Sequence, residues 1–127
     1  MHSGSHARTY DAAAAIPARR IVKFTANLTV NLATAATDDM IGVTADVGAE
    51  AAGDRVDVYR SGPVEIDVGG TIARGKEITA DASGKAIQAP TTAGTTLRII
   101  GIAERSYVAG DIGLFELGVA SKTNPAA

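Results

Sequence analysis

Apolar and polar positions alternate with a period of two along much of the chain. Leu28-Thr29-Val30-Asn31-Leu32 alternates strictly, Val64, Ile66 and Val68 alternate with Glu65 and Asp67, and Arg20 to Thr25 (RIVKFT) is β-branched and partly alternating. This period sets one face of a strand against a core and the other against water. Turn signals separate the runs every 8 to 12 residues, and no 11-residue window carries a helical period. The pattern predicts an all-β fold, a small β-barrel or sandwich.

The strands come in two related sets. Leu97 to Gly118 (LRIIGIAERSYVAGDIGLFELG) matches Met40 to Gly62 (MIGVTADVGAEAAGDRVDVYRSG): an apolar run closes on Ile-Gly-Ile or Ile-Gly-Val, and Ala-Gly-Asp opens a second run that closes on Gly. Upstream of each lies a hairpin-like start. Thr25-Ala26-Asn27 matches Thr79-Ala80-Asp81, and Arg20 falls opposite Arg74 at the same spacing of 54. The repeat thus runs over about 18–62 and 73–118. Between the copies, Val64 to Val68 predicts a half-buried strand, with Arg60-Ser61-Gly62-Pro63 as the turn that joins it to the strand before.

The ends read differently. Residues 1–15 are Ser, Gly, His, Arg and Tyr followed by four alanines, which predicts an extended, flexible N-terminal arm: an idle terminus, or a segment that orders on a partner. The domain proper spans 16–118, and 119–127 (VASKTNPAA) forms a frayed C-terminal tail. The two copies also differ in one respect that matters. Aligned on Gly-Asp, Ile112 and Leu114 stand where the first copy has Arg55 and Asp57, so a solvated strand face in one copy is apolar in the other. Such a surface needs a cover, from within the chain or from a second subunit.

Composition narrows the chemistry. With 127 residues, net charge −2, no Cys and five aromatic residues, the chain is expected to be one domain with a shallow aliphatic core, no disulfides and too weak a basic field to bind nucleic acid. No apolar run approaches the length of a membrane span. His2 and His6 have metal-like spacing without a third ligand, and a polar terminus is the better reading. Asp38-Asp39, Asp54/Asp57 and Glu65/Asp67 are the carboxylate pairs. They read as turn and solubility features, leaving a small carboxylate-dependent hydrolase as the minor alternative. The glycines of Val68-Gly69-Gly70-Thr71 lack the Lys of a phosphate loop, and Lys85 lacks the context of a carrier lysine. No catalytic residue, metal or cofactor is expected.

The ordered run GTIARGKEITADASGKAIQAPTTAG…IIGIAERSYVAGDIGLFELG, with IGVTADVGAEAAGDRVDVYRSGPVEI upstream, resembles the capsid cement (decoration) proteins of tailed bacteriophages over residues 16 to 118. The resemblance implies a structural virion protein, made in the host cytoplasm, that binds the major capsid protein on the outer surface of a mature shell. It would sit at or near three-fold and quasi-three-fold positions and stabilise the particle. It also implies a homotrimer, with a dimer as the alternative, and so makes Ile112 and Leu114 candidates for the subunit interface. In that setting the arm becomes the candidate capsid contact, with Arg8 and Tyr10 as its anchors. The rival reading within viral assemblies is a β-barrel adaptor or a tail or baseplate part.

Overall fold

The computed structural model describes residues 6–124, and the fold is all-β with no helix among them. Nine strands follow in order: β1 (His6–Ala12), β2 (Ile21–Ala26), β3 (Thr29–Leu32), β4 (Met40–Thr44), β5 (Arg55–Asp67), β6 (Glu77–Ala80), β7 (Ala86–Gln88), β8 (Thr96–Ala103) and β9 (Ile112–Thr123). The hydrogen-bonded order is β1-β3-β2-β4-β5-β9-β8-β6-β7, and an additional β1–β5 pairing closes the first five strands into a barrel.

β5 is the element shared by both halves. Its first part pairs antiparallel with β1 from Arg55 to Ser61, and its second part pairs with β9 from Gly62 to Asp67. The turn expected at Arg60–Pro63 is therefore absent. Gly62, at a φ of 88°, instead bends one continuous strand as it changes partner. Past its end, Val68 makes an isolated parallel bridge to Ala86 at the start of β7. This repeats the parallel pairing of Ala12 with Val30 between β1 and β3. The end of β5 thus serves the second unit as β1 serves the first.

That equivalence corrects the alignment of the repeat. Ala12 and Val68, Ile16 and Ile72, and Val30 and Ala86 each lie 56 positions apart, and each pair makes the same kind of bridge in its unit. Arg20 therefore matches Lys76 rather than Arg74. The repeat also reaches back past residue 18 to include β1.

Two main cores result. Tyr10, Ala12, Ile16, Val22, Val30, Ile41, Val56 and Val58 fill the first barrel. Ile66, Ile72, Ile78, Ile100 and Phe115 fill the second unit, joined by Ile21, Met40 and Val43 from the outer side of β2 and β4. These strands are covered on both faces, so β4 (MIGVT) is buried throughout and does not alternate. Polar links fasten the joint further: Asp67 accepts from Nε of Arg19 at 3.0 Å and of Arg20 at 3.1 Å, and the N–H of Ile21 donates to Gly84 at 2.8 Å.

The expected arm and tail are corrected for their described parts. His6–Ala12 is a wall of the first barrel, with Tyr10 2 % exposed, and β9 continues to Thr123 with Asn124 buried beyond it. Residues 1–5 and 125–127, parts of the expected arm and tail, lie outside the described residues.

Candidate functional site

The Ala-Gly-Asp strings are turns built twice. Gly53 and Gly110 take φ values of 90° and 94°, and the carboxylate after each closes its turn. Asp54 Oδ2 accepts from the N–H groups of Glu50 and Ala51, and Asp111 Oδ2 accepts from Val108 at 2.9 Å. The Ile-Gly strings have a different cause. A Cβ on Gly42 would meet the carbonyl oxygen of Tyr59, and one on Gly101 that of Glu116, so each glycine lets two neighbouring strands come close.

The carboxylate pairs are dispersed among structural tasks. Asp57 accepts from the Thr9 hydroxyl at 2.7 Å, Asp67 holds Arg19 and Arg20, and Asp39 pairs with Arg98 at 3.0 Å. Asp38 Oδ2 accepts from the backbone of Thr34 at 2.8 Å and of Ala35 at 3.2 Å, and faces Lys23 Nζ at 3.2 Å. Burial pushes the Asp38 carboxyl up, but the Thr34 bond, the Lys23 ammonium and the Ala35 bond outweigh it and hold the group below its ordinary value. Glu65 points outward across from Leu114. Among the described residues no three His, Cys, Asp or Glu side chains gather as a metal site. His2 lies outside the described residues, as does the side chain of His6.

What the surface offers is contact area. On the second unit, Ile112 (53 % exposed) and Leu114 (44 %) stand on the outer face of β9, because Gly113, Phe115 and Leu117 take the inner one. Ile102 (47 %), on β8, pairs with Glu116 and lies diagonally beside Leu114, so the apolar face is wider than the sequence reading made it. Ile102 was missed because strict alternation sets it on the same face as the buried Ile100, whereas the register shift between Ile99 and Gly101 turns it outward. Glu65, Asp67 and Glu116 rim the patch through their cross-strand pairing. A cleft of about 350 Å³ opens beside Leu114, lined also by Arg19, Thr44, Tyr59 and Glu65.

The first unit carries a second apolar surface at the β2–β3 turn. Phe24 (40 % exposed) and Leu28 (62 %) border a shallow cleft of about 550 Å³ that the turn residues line. Of the two arm anchors expected from the sequence, only Arg8 is at the surface, its guanidinium 5.8 Å from the Tyr10 ring centre. Tyr10 points into the barrel, packs edge-on against Phe24 at 5.4 Å and accepts a 2.8 Å hydrogen bond from Arg60. The structure thus places Arg8 and Tyr10 on the same face of one strand, Tyr10 inside the barrel and Arg8 at its exposed end over the Tyr10 ring, and brings Ile112 and Leu114 together.

A family model described as phage cement protein matches residues 1–111, from the first residues to the last Ala-Gly-Asp turn, just before β9. The chain belongs to the phage cement protein family. This gives it a capsid-associated structural role in a virion. The cement-family match includes residues 1–15, which the sequence reading had set apart as an arm. Among solved structures, the chain is similar to the head fiber gp8.5 N base in bacteriophage phi29. That match has a TM-score of 0.66 at 19 % identity, covering 90 % of this chain and 94 % of that one, a likeness of fold. No curated protein matches the chain.

Proposed function

We propose that this cement-family chain binds the major capsid protein on the outer surface of a mature phage shell, at or near three-fold and quasi-three-fold positions, and stabilises the particle. It acts as a homotrimer, the arrangement that suits a three-fold site. Membership of the cement family carries the reading. The physical character of the chain supports it: two units share one strand and an apolar joint, which gives a stiff body, and a net charge of −2 suits a surface that ignores packaged DNA. Many copies bridging capsomers act by multivalency, so modest affinity per copy produces a large collective effect. The outward apolar patch of Ile102, Ile112 and Leu114 is the candidate contact between copies.

The test is direct imaging of particles assembled with and without this protein, together with their resistance to heat. Density at three-fold positions that disappears with the protein, and earlier DNA release without it, are the expected results. Particles of equal stability with no density lost from their outer surface would refute the reading.

A further inference from the structure

The wall of the first barrel is incomplete at one place. The N–H of Asp11 donates to Leu28 at 3.0 Å, so odd-numbered residues of β1 aim their backbone groups away from β5. The carbonyl of Asp57, the β5 partner of Thr9, agrees, since it accepts from Ala45 and so faces β4. On the edge away from β5, β3 reaches only Asp11 and Ala12. The backbone groups of Ala7 and Thr9 therefore face an edge without a strand partner among the described residues, and both residues are exposed.

A second, independent observation lies at the same edge. Leu28 has a φ of 54°, in the left-handed region that disfavours a branched side chain, and Gly84 fills the equivalent position 56 residues on with a φ of 71°. The second unit uses glycine there and rests that turn against Ile21 and Leu32 of the first. The first unit instead holds a strained leucine, mostly exposed, beside Phe24. Strain and exposure together at one apolar residue mark a contact surface.

We propose that the free edge of β1 at Ala7 and Thr9, with the cleft at Phe24 and Leu28, receives an extended segment of the capsid protein as an added strand. This rests on the function proposed above and names the surface that performs it. An open edge accepts only extended backbone, and the neighbouring cleft selects one bulky apolar side chain on that segment. Charge argues against a second copy as the occupant. Antiparallel self-pairing that uses both Ala7 and Thr9 sets the two Arg8 residues directly opposite one another, a like-charge pair. A shell segment with an acidic or polar residue across from Arg8 has no such conflict.

Two variants test the inference on phage heads stripped of this protein. Ala7→Pro removes only the outward N–H, a change that strand edges accommodate, and is expected to weaken head binding about fivefold. Leu28→Gly relieves the backbone while removing the apolar contact, and is expected to weaken binding about tenfold with no loss of thermal stability. Both variants binding stripped heads like wild type would overturn the inference while leaving the general function intact. A change in self-association without a change in head binding would overturn it in favour of a second copy. Heads that do not take up the wild-type protein would overturn the function and this inference with it.

Discussion

Arg19 and Leu28 occupy left-handed backbone, at φ values of 57° and 54°, where Gly75 and Gly84 stand in the second unit. Each costs about 1–2 kcal/mol relative to ordinary backbone. Arg19 recovers part of that cost through Asp67, whereas the Leu28 side chain, 62 % exposed, has no ion pair or side-chain hydrogen bond to draw on. Neither position is legible in the sequence, because only glycine advertises positive φ and an alignment at 54 rather than 56 hides the glycines that would reveal them. Thr79 is a second local cost: its side chain is fully buried on β6 and its hydroxyl has no partner among the described residues. Thr79→Val should replace an orphaned hydroxyl with a methyl group of similar shape and stabilise the fold by about 1 kcal/mol. Calorimetry should show Tm rising by about 4 °C for a domain of this size, and an unchanged or lower Tm would mean that the hydroxyl is satisfied in solution.

At the level of elements, the sequence exposed most strands and misjudged two. β5 looked like a hairpin because Ser61-Gly62-Pro63 has turn chemistry, yet the same residues kink a strand that needs a bend to pass between units. β1 looked like an arm because it has few large apolar residues, and a strand whose described core contribution is Tyr10 and Ala12 gives little hydrophobic signal. Deleting residues 1–15 would thus remove the strand that closes the first barrel, so loss of capsid binding in that variant would report unfolding. The Ile-Gly positions allow a cleaner test. Gly42→Ala or Gly101→Ala puts a Cβ against a backbone carbonyl that cannot rotate away, and each should destabilise by about 3 kcal/mol, the upper end for overpacking. Urea unfolding checks this, and a loss below the noise of the method would mean that the strands part freely. The Asp38 loop gives a pH-dependent test. The folded pKa is depressed, so its contribution is complete above the ordinary carboxyl value of 3.8 and fades as pH falls through the lower folded value. Asp38→Asn should therefore cost about 1–2 kcal/mol at neutral pH, with a difference from wild type that narrows in acid below that value. A constant difference across that range would refute the assignment.

At the scale of the whole molecule, two units of one design differ in what they present to solvent. The first shows Arg55 and Asp57 along the N-terminal half of β5, and Asp11 and Thr9 engage them from β1. The second shows Ile112 and Leu114 at the matching places, opposite Asp67 and Glu65 on the C-terminal half of the same strand, with Ile102 close by. This divergence was legible from the sequence, since it needs only the strand period and the Gly-Asp landmark, whereas its extension to Ile102 needed the β8–β9 register. Intramolecular cover, which the sequence left open, is excluded for the described residues, because Ile112 and Leu114 remain about half exposed in the folded chain. In the proposed trimer around a three-fold axis, a second subunit supplies that cover. Leu114→Asp places a charge in the middle of this patch, already edged by Glu65 and Glu116, and so adds like-charge repulsion to lost apolar burial. The isolated chain should fold as before, since an outward side chain changes stability by only about 0.5 kcal/mol. Light scattering should show the mass falling from trimer to monomer, with the same circular dichroism spectrum as wild type. Occupancy on heads should fall with it, because three linked contacts become one. A well-folded Leu114→Asp protein that keeps the wild-type mass would remove this patch as the subunit interface and leave it as a candidate contact with the shell.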